Sequence, residues 1–307
     1  MNPETTITKQ QIRSIFKHHS LSQNPEINRI TIGFSNEIHR VDDYILKIYV
    51  HKDEEGSFDK ESKFYRELYG KVLVPRLLVA DKSREIIKKP YIIYEMIPGQ
   101  SLGNCWHLLN DEQRRGIIKV VCEQLKIIMA NYPDGILDKA ESWQDYIVGR
   151  LEEKLATDKI IRIISNQTKS LINQYIAKNR HVLEPARLEY TYWDLHQDNI
   201  IVDNGGRVTG LIDFEHIDVV SVDYLLNTVR RMDLDPARNV SVEMEKYAKV
   251  EDYAHVMDWF REFLPEAFNF SHLETRLDFY ELDEDLRILP DFPKAKTLHD
   301  SIARIVG

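Results

Sequence analysis

Thr191 to Glu215 reads T-Y-W-D-L-H-Q-D-N-I-I-V-D-N-G-G-R-V-T-G-L-I-D-F-E. Two short apolar runs, Ile200 to Val202 and Val208 to Ile212, flank Asp203-Asn204-Gly205-Gly206. Asn and Gly enter the φ > 0 region at little cost, so the stretch predicts a β-hairpin. Asp194 and Asn199, spaced as Asp-x-x-x-x-Asn, stand just before the first strand, and Asp213-Phe214-Glu215 stands just after the second. The open ends of a hairpin lie side by side, so Asn199 and Asp213 come close together. Two adjacent oxygen ligands with a further carboxylate nearby suit Mg²⁺, a hard cation that shares such ligands with phosphates.

Composition bounds what surrounds this stretch. A chain of 307 residues with 43% apolar content can build two lobes with cores of their own. A formal net charge of −9 gives no electrostatic support for a nucleic-acid partner. It favours a cationic small molecule only weakly. Cys105 and Cys122 are too few for a disulfide scaffold and lack metal-ligand spacing. No apolar run reaches the length of a membrane span. Met1-Asn2-Pro3-Glu4 shows no signal-peptide pattern, so the expected location is the cytoplasm.

Upstream, residues 7 to 19 place Ile12, Ile15 and Phe16 at helical spacing, with His18 and His19 expected in solvent. Then 30–34, 37–41 and 44–50 read as β-strands, turned at Gly33-Phe34-Ser35-Asn36 and at Asp42-Asp43. Lys47 lies within apolar Tyr44-Ile45-Leu46-Lys47 and needs a partner there, unless it snorkels to water from a sheet edge. Phe58 to Tyr69 reads as a helix with Glu61 and Glu67 as candidate partners. Residues 76–80 and 86–94 complete a small antiparallel sheet, which runs into Glu95-Met96-Ile97-Pro98-Gly99.

Downstream of that linker the pattern turns helical. Asp111 to Asn131 carries Ile117, Ile118, Val121, Leu125 and Ile128 on one face. Helices are expected over 143–155 and 160–178, and again, after the hairpin, over 219–231, 240–263, 271–289 and 298–306. Asp278, Glu281, Asp283, Glu284 and Asp285 fall in one segment and read as a solvated face, or else as an acidic wall for an amine-bearing ligand.

The order of these parts resembles a kinase. Protein kinases carry H-R-D-L-x-x-x-N, a short hairpin and D-F-G. Here Asp194-Leu195 and Asn199 keep the spacing, while Glu215 takes the place of the last Gly. The chain is more similar to the aminoglycoside phosphotransferase-like family of small-molecule kinases, whose pattern runs H-G-D-L-H-x-x-N and then I-D-F-E/D. Leu195, His196, Asn199, Ile212, Asp213, Phe214 and Glu215 match it; Tyr192-Trp193 stand where the family has His-Gly. Gly33, Ser35, Asn36, Arg40 and Val41 match the family's G-x-S-N-x-x-Y-R-V, and the linker resembles E-Y-L-P-G-x-x-L.

The resemblance implies an α+β, bilobal protein-kinase-like fold: a small antiparallel β-sheet N-lobe over residues 1–96 and a mostly helical C-lobe over 97–307. It implies that Gly33, Ser35 and Asn36 cover the phosphates of ATP or GTP, and that Lys47, paired with Glu61 rather than Glu67, steadies them. The backbone of Glu95 and Ile97 would read the base, Asn199 and Asp213 would hold Mg²⁺, and Asp194 would take the acceptor's proton. Asp223 would brace the catalytic loop, or merely sit at a helix N-terminus. The acceptor would be a hydroxyl of an aminoglycoside or other antibiotic, or of a metabolite such as an amino alcohol or sugar. The alternative is a catalytically silent nucleotide-binding protein with a regulatory role, for which Tyr192-Trp193 is the sequence support. A protein kinase is weaker still, without G-x-G-x-x-G, D-F-G or A-P-E.

Overall fold

The computed structural model describes residues 7–30, 36–50, 54–131 and 142–307. Helix α1 (Lys9–His18) opens on a capping box, in which the Thr8 side chain accepts from the Gln11 backbone and Gln11 reaches back. It buries Ile12, Ile15 and Phe16 on the sheet as their spacing predicts. His18 is exposed, but His19 is within 2.9 Å of the Tyr91 hydroxyl and is not left to solvent.

Strands β1 (Ile27–Ile30), β2 (Glu37–Val41) and β3 (Tyr44–Ile48) are followed by α2 (Glu54–Leu68), then β4 (Leu77–Asp81) and β5 (Tyr91–Glu95). The five strands form one antiparallel sheet in the order β1-β2-β3-β5-β4. β1 pairs Ile27 with Val41 and Ile30 with Ile38, and of the strand expected over 30–34, residues 31–34 lie outside the described residues. The turn expected over 33–36 falls largely outside the described residues, and Gly33 and Ser35 with it. β5 starts only at Tyr91, because Pro90 has no N–H to give a ladder; its carbonyl instead accepts from Tyr49 N at 3.0 Å. β3 is an inner strand of the sheet, so Lys47 cannot snorkel from an edge.

A linker leads to β6 (Gln100–Ser101), the short α3 (Leu102–Cys105) and the 20-residue α4 (Asp111–Ala130). α5 (Trp143–Ala156), α6 (Asp158–Ile163) and α7 (Asn166–Asn179) follow. The single helix expected over 160–178 is two, because Ile164 is extended and the Ser165 side chain accepts from Thr168 N to cap a new start. β7 (Leu188–Tyr192) runs into the hairpin of β8 (Ile200–Val202) and β9 (Val208–Leu211), which forms as predicted. Its turn is closed by Gly206 N donating to Asp203 O at 2.9 Å, with Gly206 at φ +76°.

The helix expected over 219–231 is a correction. Residues Ile217–Ser221 are β10, paired antiparallel with β7, and a helix, α8, spans only Leu226–Leu234. Ile217, Val219 and Val220 suit a pleated surface, and β7 offers an edge to pair with. Residues 240–255 hold short 3-10 turns rather than helix before α9 (Val256–Phe263). α10 (Leu273–Ile288) and α11 (Lys296–Val306) close the chain. Among the described residues, no helix is long and apolar enough to cross a membrane.

Asp223 lies in the first turn of the 3-10 helix Val222–Leu225 that leads into α8, and its charge is met from α10. It is fully buried, accepts from Arg276 Nε on α10 at 2.6 Å and from the Tyr280 hydroxyl at 2.9 Å, and also takes the Ser221 hydroxyl. The segment after β10 is thereby bolted to α10. The acidic run on α10 is no solvated face either: Asp283 and Asp285 are buried, and Glu281 nearly so. Asp283 pairs with Arg150 at 2.7 Å and with Lys154, while Glu281 pairs with Arg230 and Arg304. Burial of these carboxylates is sustained because basic residues on α5, α8 and α11 converge on α10. Asp223→Ala, which strands the buried Arg276 guanidinium, is expected to cost about 3–5 kcal/mol in denaturant unfolding; a loss below about 1 kcal/mol would show that the bolt is marginal.

Candidate active site

The hairpin carries the first half of the site. β7 delivers Asp194, and Asn199 Nδ2 donates to the Asp194 carbonyl at 3.0 Å. Ile212 N donates to Asn199 O at 3.0 Å, so the two open ends meet as the spacing predicts. Asp213 then adopts φ +63°, in the left-handed region, which Asp tolerates better than most residues. That twist separates the direction of Asp213 from that of Phe214. Phe214 is fully buried, stacked on Phe64 of α2 at 4.0 Å and tilted on Tyr192 at 4.6 Å.

Tyr192, standing where the family has His, supports the loop by another route. It is buried, and its hydroxyl donates to Ile212 O at 2.9 Å. Trp193 is half-buried beside the loop, its ring 4.9 Å from His216 and 5.5 Å from Tyr224. Its indole N–H donates to Asp218 at 3.3 Å, and Asp218 also accepts from Lys60 of α2 at 2.8 Å.

The sheet supplies the second half. Lys47 Nζ donates to Glu61 Oε2 at 2.7 Å and to Asp213 Oδ1 at 2.6 Å, with the Lys47 side chain 2% exposed. Glu61 is fully buried, whereas Glu67 is exposed near Lys63, which settles the choice between them. Sequence reading missed the two phenols that hold Glu61: Tyr49 donates to it at 2.6 Å and Tyr65 at 3.1 Å. A tyrosine flanking the lysine strand and one a helical turn after Glu61 were the available signal. Asn36 donates to Glu215 Oε2 at 2.7 Å, a pairing that nothing in the sequence spacing reveals.

Burial alone would lower the Lys47 pKa, but Asp213, Glu61 and Glu215 push it well above its usual value, so the ammonium is charged. Burial likewise works to raise the Asp213 carboxyl, and Lys47 more than offsets this, holding it below the usual range. Burial raises Asp194 in spite of His196 and His216 nearby. Glu61, Asp213 and Glu215 bring carboxylate oxygens within 4.8 Å of one another around the single Lys47 ammonium. The negative excess and the hard oxygens of Asn199 and Asp213 fit a divalent cation such as Mg²⁺.

The linker sits over the hairpin. Glu95 N already donates to Arg76 O at 3.0 Å, so a ligand at Glu95 would meet its carbonyl rather than its N–H. The Ile97 side chain lies against Gly210 of β9; a Cβ there would be 2.2 Å from Ile97 Cδ1. On the far side of Asp194, Glu284 of α10 contributes negative charge to it, and Arg287 holds Glu284 through Nε at 2.6 Å. Glu284 is thus a member of the acidic run whose charge bears on Asp194, and it is already paired.

A buried lysine of a small sheet, paired with a glutamate of α2 and facing an Asp, an Asn and a second Asp around a hairpin of a helical lobe, is the arrangement of a kinase-like phosphotransferase. The chain belongs to the phosphotransferase enzyme family, whose profile matches residues 26–222. That membership makes it a phosphotransferase with an alcohol group as acceptor. No curated protein sequence matches the chain significantly. Among solved structures, it is similar to a thermostable mutant of aminoglycoside phosphotransferase APH(4)-Ia in ternary complex with ADP and hygromycin B, with TM-score 0.67 and 15% identity over 96% of this chain and 97% of that one. The GDP and kanamycin complex of APH(2")-IIIa aligns with TM-score 0.67 and 15% identity over 97% of each chain. The gentamicin complex of APH(2")-IIa aligns with TM-score 0.65 and 13% identity over 99% of this chain and 97% of that one. At these identities the likeness establishes the bilobal fold.

Because the folded-state pKa of Asp194 is raised, its charge opposes folding above that pKa, and the cost fades as pH falls through it. Asp194→Asn is therefore expected to raise the thermal midpoint at pH 7, with the gain shrinking toward pH 4, close to the ordinary Asp value of about 3.9. Thermal denaturation across that range checks this; an Asn variant less stable than the parent at pH 7 would count against it.

Proposed function

We propose that this chain transfers the γ-phosphate of ATP or GTP, in a Mg²⁺-dependent reaction, to a hydroxyl of a small molecule. The observation that carries the reading is the convergence of Lys47, Glu61, Asp194, Asn199 and Asp213 from two lobes, with Lys47 bonded to both Glu61 and Asp213. Lys47, held by Glu61, would steady the nucleotide phosphates, and Gly33, Ser35 and Asn36 would cover them. Glu95 and Ile97 would receive the base, at a lobe boundary placed after residue 96. Asn199 and Asp213 would hold Mg²⁺, which when bound supplies charge neutralisation at the phosphate oxygens. Asp194 would accept the proton of the attacking hydroxyl; its raised pKa keeps it a better base than a solvated Asp.

The acceptor would enter on the side of Asp194 bounded by Trp193, His216, Glu284 and Arg287. The similar structures carry hygromycin B, kanamycin or gentamicin, which supports an antibiotic or another hydroxylated, amine-bearing molecule. The Arg287 side chain is 57% exposed, so its pair with Glu284 is weak enough for an amine to displace. The nucleotide donor and the absence of basic patterning in the composition support a cytoplasmic enzyme without a nucleic-acid partner.

Nucleotide consumption with Mg²⁺-ATP and Mg²⁺-GTP across aminoglycosides, other antibiotics, amino alcohols and sugars tests the reading. One acceptor class should turn over, and Asp194→Ala should lose roughly 10²–10⁴-fold in rate while keeping nucleotide binding. Turnover unchanged in Asp194→Ala sinks the assignment of the base. Tight nucleotide binding without turnover on any acceptor favours the catalytically silent reading.

A further inference from the structure

We propose that Glu215 is a positioning residue for phosphate handling: it holds the Lys47 ammonium when Asp213 turns to a metal ion, and it fixes Asn36 at the head of β2. The inference rests on the phosphoryl-transfer reading and adds to it a role for the third residue of Asp213-Phe214-Glu215.

Glu215 is 3% exposed, and one of its oxygens faces two partners. Oε2 accepts from Asn36 Nδ2 at 2.7 Å and lies 3.6 Å from Lys47 Nζ. Asn36 is itself buried, and its Oδ1 accepts from Val50 N at 3.4 Å, just beyond the strand that carries Lys47. One carboxylate thus joins the segment after Asp213 to the head of β2 and, through Asn36, to the end of β3. Asn36 has its amide committed to Glu215, so its influence on a nucleotide passes through that contact.

Charge gives the reason for a carboxylate here. Lys47 is held by Glu61 at 2.7 Å and by Asp213 at 2.6 Å. The Asp213 side chain is 33% exposed and faces the cleft, whereas Glu61 and Glu215 are not accessible from it. An Asp213 oxygen given to a cation weakens its bond to Lys47. An ammonium 2% exposed then needs a second anion, since a buried charge without one is costly. Phosphates would approach the ammonium from the cleft; Glu215, enclosed and 3.6 Å from Lys47 Nζ, supplies a second fixed anion beside Glu61, which a Gly here would not. Tyr49 and Tyr65 occupy Glu61, so Glu61 cannot take both roles alone.

ADP affinity of the full chain, measured by calorimetry in Mg²⁺ and in EDTA, tests this. Glu215→Gln keeps an oxygen for Asn36 but removes the charge beside Lys47. It should weaken ADP binding about tenfold in Mg²⁺ and under about threefold in EDTA, where Asp213 still serves Lys47. Asn36→Ala should weaken binding alike in both conditions. A Glu215→Gln effect equal in Mg²⁺ and EDTA would mean a merely structural role and overturn the inference. In a Lys47→Met background the Glu215→Gln effect should vanish; its persistence would mark Glu215 as a direct metal ligand and likewise overturn it. Should Lys47→Met fail to fold, Lys47→Gln serves as the uncharged background for the same comparison. A parent chain that binds no ADP in either condition overturns phosphoryl transfer and this inference together, whereas a parent that binds while Glu215→Gln matches it overturns the inference only.

Discussion

A charged lysine inside an antiparallel sheet is the constraint on which the site depends. Lys47 lies on an inner strand with its side chain almost fully enclosed, and water cannot reach it to solvate the ammonium. Its charge is sustained by carboxylates from two other places in the fold: Glu61 on α2, and Asp213 beyond the hairpin. An unpaired charge in that position would cost several kcal/mol, so the sheet, α2 and the hairpin can only settle in an arrangement that brings all three together. The two lobes are coupled through this cluster, and Phe214 stacked on Phe64 reinforces the coupling with apolar contact beside it.

The same cluster explains why the site is poised rather than complete. Lys47 and Asp213 neutralise each other in the resting protein, and together with Glu61 and Glu215 they leave an excess of negative charge. A phosphate chain accompanied by a divalent cation matches that imbalance, because it offers anions to Lys47 and a cation to the carboxylates. The helical lobe has a different electrostatic character. Its buried acids on α10 are met by arginines and lysines from neighbouring helices, which fixes the scaffold behind Asp194 without adding open charge at the cleft.

Much of the frame was legible in the residues. The hairpin follows from Asp203-Asn204-Gly205-Gly206 between two apolar runs, and the strands around Lys47 from their β-branched and aromatic content. Other parts were not. The strand Ile217–Ser221 was expected as helix, since short apolar runs carry no periodicity that separates the two, and only the edge offered by β7 decides. The acidic run on α10 read as a solvated face because sequence shows the carboxylates of one helix together and scatters their partners: Arg150, Arg230 and Arg304 lie on three other helices. The partner of Asp223 was hidden for the same reason, its guanidinium lying on α10.

The sequence by itself determined the local devices: the hairpin, the cap of α1, the buried strand around Lys47 and the order of the motif residues. These rest on interactions between near neighbours, which backbone geometry and side-chain spacing control. Only the tertiary structure decided which charges meet. Glu61 rather than Glu67 reaches Lys47 because the opposite face of α2 packs on the sheet. Asn36 meets Glu215 across 179 positions of chain, and Tyr192 takes over the support of the loop by reaching Ile212. Pairings of this kind are selected by the cost of leaving a buried polar group without a partner, and that cost is defined only once the chain has closed around it.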